Sequence, residues 1–136
     1  MEEAMTILHQ KGNRITPQRV MIIEAVLKGD GHLTAEGIYR RVSARYPQVD
    51  ISTIYRTLIL LKEASLVTET DLGGGRMEYH WRKKSHHHHL VCEGCGQVLN
   101  LGEEEVQLLH DRLLEKYDFE ASLTHLAIFG RCAKCR

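Results

Sequence analysis

Apolar residues fall at helical spacing through the first half of the chain and then switch to strand-like alternation. Met5, Ile7 and Leu8 predict a first helix ending at Gly12. Thr16-Pro17 has the form of a helix start, with Thr as N-cap and Pro at the first helical position. The helix that follows is expected to turn Val20, Ile23 and Leu27 inward and to stop near Gly29 and Gly31. Thr34 serves as a simple N-cap for a helix from Ala35 to Tyr46, because Gly37 stands where a full capping box needs Glu or Gln. Pro47 closes that helix. Ile51, Ile54, Leu58 and Leu61 then predict the buried stripe of a fourth helix, with Ser52, Thr53, Tyr55 and Arg56 near its N-terminal end and partly off the stripe. Leu66–Thr70 and Met77–Trp81 read as two strands joined through Gly73-Gly74-Gly75.

Helices followed by a β-hairpin make a winged helix-turn-helix, in which the last helix enters the major groove with its early residues facing bases and phosphates. Tyr55 and Arg56 are the candidates for base contact, with Ser52, Thr53 and Arg19 on phosphates. The other reading of Tyr55 packs its ring into the domain core. Lys11 and Arg14 can add backbone contacts, whereas Arg40, Arg41 and Arg45 read as a solvated helix face.

The second half predicts strands at His87–Cys92 and Val98–Leu101, a helix over Glu103–Tyr117 and a last strand from Leu123 to Phe129. Val106, Leu109, Leu113 and Leu114 share one face of the helix, and Glu103, Glu104 and Glu105 occupy its first turn, where the helix dipole favours negative charge. The expected class is therefore α+β: an N-terminal winged helix-turn-helix over residues 1–83 and a small α/β dimerisation domain over 84–136. Exposed strand edges in the latter invite pairing with a second copy.

Composition sharpens this picture in two places. The formal net charge is zero, but residues 1–84 hold 13 Lys and Arg against 10 Asp and Glu, and residues 85–136 hold 5 against 8. A basic first half and an acidic second half fit DNA contact at one end only. No apolar run reaches membrane-spanning length and the N-terminus lacks a signal-peptide core, so the expectation is a cytoplasmic protein with no membrane partner. In that compartment four cysteines in two Cys-x-x-Cys pairs read as zinc ligands rather than disulfides.

Those pairs, Cys92/Cys95 and Cys132/Cys135, are separated by 36 residues, enough for a strand, a helix and a returning strand. A shared structural zinc would bring the ends of that unit together, which a domain of roughly 50 residues needs. Four consecutive histidines, His86 to His89, lead into the first pair. Because alternate side chains of a strand share a face, His87 and His89 would point one way and His86 and His88 the other, feeding two different metal sites. His9 and His110 read as ordinary surface or packing residues.

In their order these motifs resemble the ferric uptake regulator family, whose members sense iron, zinc, manganese, nickel or peroxide. The stretches that carry the resemblance are Arg14-Ile15-Thr16-Pro17-Gln18-Arg19, His32-Leu33-Thr34-Ala35-Glu36, Ser52-Thr53-Ile54-Tyr55-Arg56-Thr57-Leu58, His86-His87-His88-His89-Leu90-Val91-Cys92 and Gly130-Arg131-Cys132-Ala133-Lys134-Cys135. The resemblance implies a homodimeric repressor that binds a palindromic operator in double-stranded DNA. It also implies a structural Zn2+ and one regulatory divalent metal per chain at the hinge between the domains. Carried over residue by residue, the hinge ligands are His32, His80, His87 and His89, and the family's further carboxylate ligand falls on Asn100. A second regulatory site would use His86, His88 and His125, with Gln107 where relatives have an acidic residue, or Glu104 or Glu105 reaching in its place. A mostly imidazole hinge site points to Zn2+, with Fe2+ next; a peroxide- or nickel-sensing repressor is the alternative within the family.

Rival classes lack their signatures. There is no His-Glu-x-x-His, and no His-x-Glu paired with Pro-Cys-x-x-Cys, so an enzyme is not expected. A zinc-ribbon metal-binding or interaction protein would leave Tyr55-Arg56 on a helix before a wing unexplained.

Overall fold

The computed structural model describes residues 1–29, 33–82 and 88–136, which form two compact units, Met1–Lys84 and Ser85–Arg136. The first unit begins with α1 (Glu2–Gln10), which buries Ala4 and Leu8. In α2 (Pro17–Leu27), the Thr16 hydroxyl accepts from Arg19 N–H and Pro17 occupies the first turn. Thr34 caps α3 (Ala35–Arg45) through Gly37 N–H at 3.0 Å, and Asp50 caps α4 (Ile51–Glu63) through Thr53 N–H at 2.8 Å.

Strands β1 (Val67–Asp71) and β2 (Met77–Trp81) pair antiparallel, with Val67 opposite Trp81 and Asp71 opposite Met77. Gly73, Gly74 and Gly75 between them all have positive φ, a run that side chains with a Cβ would strain. Leu33 adds a single bridge to Tyr79, whose N–H reaches the Leu33 carbonyl at 2.8 Å. The hairpin is thereby tied to the start of α3.

One apolar core joins these elements. Leu8, Ile22, Ile23, Val26, Ile38, Ile54, Leu58, Leu61, Tyr79 and Trp81 are all buried in it. Two stripes differ from those expected. In α2 the buried residues are Ile22, Ile23 and Val26, while Val20 and Leu27 are half-buried. That helix is apolar on most of its circumference, so spacing alone does not choose the face. In α4 the stripe is Ile54, Thr57, Leu58 and Leu61, while Ile51 is 38% exposed. Ile51 is the first helical residue and lies beyond the core's edge; Thr57 takes its place because its hydroxyl is satisfied by the Thr53 carbonyl at 2.8 Å.

The second unit is a three-stranded sheet of order β4-β3-β5, built from β3 (His88–Cys92), β4 (Val98–Leu101) and β5 (Ala127–Gly130). β4 runs antiparallel to β3 with His88 opposite Leu101, and β5 runs parallel with His89 opposite Ala127. Parallel pairing of β3 and β5 requires a crossover, supplied by β4 and α5 (Glu103–Tyr117). The last strand starts later than expected: Leu126 N–H goes to His88 Nδ1, while the Leu126 carbonyl accepts His89 N–H. On α5 only Val106 of the expected stripe is buried; Leu109 and Leu114 are exposed and Leu113 is half-buried. Among the described residues, no helix is long and apolar enough to cross a membrane.

Replacing Ile54 by Ala should destabilise the first unit by about 2–5 kcal/mol, as for other fully buried aliphatic truncations. Urea unfolding followed by helical circular dichroism measures this, and a cost under about 1 kcal/mol would place Ile54 outside the core.

Candidate metal centres and DNA-facing helix

Cys92 ends β3, Cys95 lies in the turn after it, and Cys132 and Cys135 follow β5, which pairs with β3 through Cys92 and Gly130. The parallel ladder therefore delivers both Cys-x-x-Cys turns to one end of the sheet. The four sulfurs all lie within 4.8 Å of one another, and Cys95 Sγ is 3.8 Å from Cys132 Sγ. Zinc–sulfur bonds of about 2.3 Å in a tetrahedron place sulfurs about 3.8 Å apart, so the cluster has the dimensions of a closed four-thiolate zinc site. No disulfide links them.

The local electrostatics point the same way. The backbone N–H of Cys132 reaches Cys92 Sγ at 3.3 Å. That N–H, with those of Cys95 and Gly94, lowers the Cys92 thiol to about 6. The Cys132, Cys92 and Cys95 sulfurs around Cys135 push its thiol up to about 12. Cys92 is thus biased toward the thiolate and Cys135 toward the protonated thiol. A divalent cation is what would hold all four as thiolates. Gly94 is needed for this approach, since a Cβ there would sit 2.9 Å from both Cβ and Sγ of Cys135.

At the other end of β3 lie His88 and His89. His88 is 1% exposed, and its Nδ1 accepts Leu126 N–H at 3.1 Å. It borders a cavity of about 230 Å3 that Glu103, Gln107, His110 and Thr124 also line. His89 is fully buried and lies beside His125, with ring centroids 5.3 Å apart and ring nitrogens within 4.8 Å. The resemblance groups His125 with His86 and His88, but the structure brings it to His89. His125 lies in the bend just before β5, whose first residue, Ala127, pairs with His89. Asn100, opposite His89 in the β3–β4 register, is exposed. Glu104 and Glu105 are exposed on α5.

In the first unit His80 lies on β2 and is 4% exposed. Its strand neighbours Tyr79 and Trp81 belong to the core, so His80 occupies the opposite face with Glu78, whose Oε2 is 3.9 Å from His80 Nε2. Glu78 is itself buried. Sequence reading passed over it, although its two-residue offset from His80 gives it the same face. His32, His86 and His87, also expected ligands, lie outside the described residues.

Ser52, Tyr55 and Arg56, expected from the sequence to contact DNA, are exposed on α4. Tyr55 is 40% exposed, which excludes the core-packed reading, and its hydroxyl donates to Glu36 Oε1 at 2.9 Å. The hydrogen bond to Glu36 raises its pKa above the ordinary tyrosine value. Arg56 folds back on its own helix, with Nη2 donating to Ser52 Oγ at 2.7 Å and Nε to the Ser52 carbonyl at 3.3 Å. Asp50 anchors the group by accepting from Ser52 Oγ, Thr53 N–H and Thr53 Oγ1. Its carboxyl is held below the usual range chiefly by Ser52 and then by Thr53 N–H. Ser52, Thr53 and Arg56 are thus pre-arranged at one helix N-terminus, while Arg19, in the first turn of α2, donates to the Arg14 carbonyl. Asp50 and Glu36 were not singled out from the sequence. An Asp before an apolar helical run signals an N-cap, but nothing local marks Glu36, whose partner is 19 residues away.

A model of the ferric uptake regulator family matches residues 10–129. The chain is 28% identical to a peroxide-responsive repressor of Staphylococcus epidermidis, over 100% of this chain and 90% of that protein. It is 29% identical to the ferric uptake regulation protein of Campylobacter jejuni, over 99% of this chain and 87% of that one. Among solved structures it is similar to the Vibrio cholerae ferric uptake regulator, with a TM-score of 0.73 and 28% identity over 92% of this chain and 96% of that chain.

The geometry around Gly94 yields a direct test. Gly94→Ala should displace Cys135 and speed zinc loss to a competing chelator, followed by dye colorimetry. Loss at the wild-type rate would show that the approach of Cys135 is not constrained at that position.

Proposed function

The chain belongs to the ferric uptake regulator family, and from that premise we propose that it is a metal-responsive transcriptional repressor of metal-homeostasis genes. It acts in the cytoplasm as a homodimer on a palindromic double-stranded operator. The observation that carries this reading is β3 itself. Five residues hold a thiol of a zinc-sized cluster at one end and two buried imidazoles, His88 and His89, at the other.

Cys92, Cys95, Cys132 and Cys135 hold a structural Zn2+, and His32, His80, His87 and His89 hold the regulatory ion. A divalent cation at those imidazoles supplies bonds that link residues of the DNA-binding unit to the histidine strand. His89 brings His125 with it, since their rings are already neighbours. Glu78 lies at the Nε2 side of His80, where a carboxylate can orient a ligating imidazole. This nitrogen-rich set favours Zn2+ over the oxygen ligands that suit manganese, with Fe2+ second. Ordering of the two units by those histidines spaces the α4 helices of a dimer for two half-sites. A coupling of about 1–3 kcal/mol per site, the usual allosteric range, changes operator occupancy from several-fold to over a hundredfold.

Pairing of two copies has its support in the second unit. Leu99 on β4, Ile128 and Phe129 on β5 and Leu109 and Leu114 on α5 are all exposed apolar residues. The edges of β4 and β5 are open. A second copy would cover both. The likeness to a peroxide-responsive repressor favours peroxide sensing as the second reading. Against it stands the donor set, in which Asn100 falls where the resemblance places a carboxylate and His80 where it places a carboxylate or another donor.

His89→Ala should retain the four-cysteine zinc and the fold while losing metal-dependent operator binding in an anisotropy titration. Operator binding that still responds to metal in this variant would remove the histidine strand from the sensing site.

A further inference from the structure

Tyr55 is held from a neighbouring helix. Glu36, which accepts its hydroxyl at 2.9 Å, is the second residue of α3. Two positions earlier Thr34 caps that helix, and the residue before Thr34 is Leu33, whose carbonyl accepts Tyr79 N–H at 2.8 Å. Leu33 and Tyr79 are both buried. A continuous path therefore runs from the wing strand β2, across one backbone bridge, through the N-terminal turn of α3, to the exposed face of α4. The two histidines of this unit in the proposed regulatory set flank that bridge in sequence: His32 precedes Leu33, and His80 follows Tyr79.

We propose that Glu36 is a positioning residue for DNA recognition, which transmits the state of the Leu33–Tyr79 bridge to Tyr55. The proposal rests on the reading of His32 and His80 as regulatory ligands and of Tyr55 as a DNA-contacting residue. When those ligands are held, the bridge and the start of α3 are fixed, and the Glu36 carboxylate fixes the Tyr55 ring in one orientation. An exposed tyrosine left free would have to be ordered when DNA binds, at a cost in affinity. When the bridge loosens, that ordering is lost.

Electrostatics gives the test a sign. A carboxylate beside a DNA-facing helix repels phosphates, so a residue of no specific use there should bind DNA better once neutralised. The experiment uses the full-length protein with its structural zinc, an operator duplex and a scrambled duplex, with and without added Zn2+ or Fe2+. Glu36→Ala should take up metal and melt as the wild type does, and bind the scrambled duplex at least as well. Its metal-induced gain on the operator should nevertheless fall about tenfold, the scale of one hydrogen bond to a charged group. Glu36→Gln, whose side-chain carbonyl can still accept the hydroxyl, should keep most of the gain. Tyr55→Phe should reproduce the loss, and the double variant Glu36→Ala/Tyr55→Phe should add nothing to it.

A full wild-type metal response in Glu36→Ala, or additive losses in the double variant, would overturn the proposal alone. A wild-type protein with no metal response would overturn the regulatory reading and this proposal with it.

Discussion

The convergence of four sulfurs at one end of a three-stranded sheet is the constraint from which the second unit takes its shape. Among the described residues of that unit, the buried apolar side chains are Val91, Cys92 and Val106, whereas α5 and both outer strands leave large apolar residues exposed. A segment of this size cannot offset its conformational entropy with so small a core. Closing it through Cys92, Cys95, Cys132 and Cys135 fixes both ends of the crossover at once. The thiols are unequal without a cation: backbone N–H groups favour the thiolate at Cys92, and the neighbouring sulfurs oppose it at Cys135. In the functional proposal a metal at the thiols and a second copy over the apolar face complete the unit.

That dependence reaches the histidines because they share β3 with Cys92. A strand pinned at its C-terminal end presents the side chains at its N-terminal end in a fixed alternation. His88 turns to the cavity beside α5, and His89 turns to His125. In the first unit His80 is placed by similar means, on a strand whose opposite face anchors Tyr79 and Trp81 in the core. The four-cysteine cluster and the buried histidines are therefore arranged by the same few strands.

Much of this was legible in local pattern. Thr16 and Thr34 cap the helices they were expected to cap, and Met77–Trp81, Val98–Leu101 and Glu103–Tyr117 fall within their predicted bounds. The clustering of the four cysteines was readable because two Cys-x-x-Cys turns bounding a strand–helix–strand unit leave few other arrangements. Features set by tertiary register were not readable. The approach of His125 to His89 depends on where β5 lies beside β3, which a single strand does not reveal. Exposure of Ile51 depends on where the core ends, and Glu36 gains its meaning only from Tyr55 across the helix interface. His32, His86 and His87 lie outside the described residues, so their placement remains part of the functional proposal.

In the proposed function, metal binding and DNA binding are one linked equilibrium. Its most direct test is a titration of Zn2+ into protein stripped of all metal except the four-cysteine zinc, with operator affinity and bound metal read in the same samples. The account predicts that operator affinity rises as metal beyond that zinc is bound, by roughly 5- to 150-fold for a typical coupling. Operator affinity unchanged while that further metal binds, or no uptake beyond the four-cysteine zinc, would contradict it.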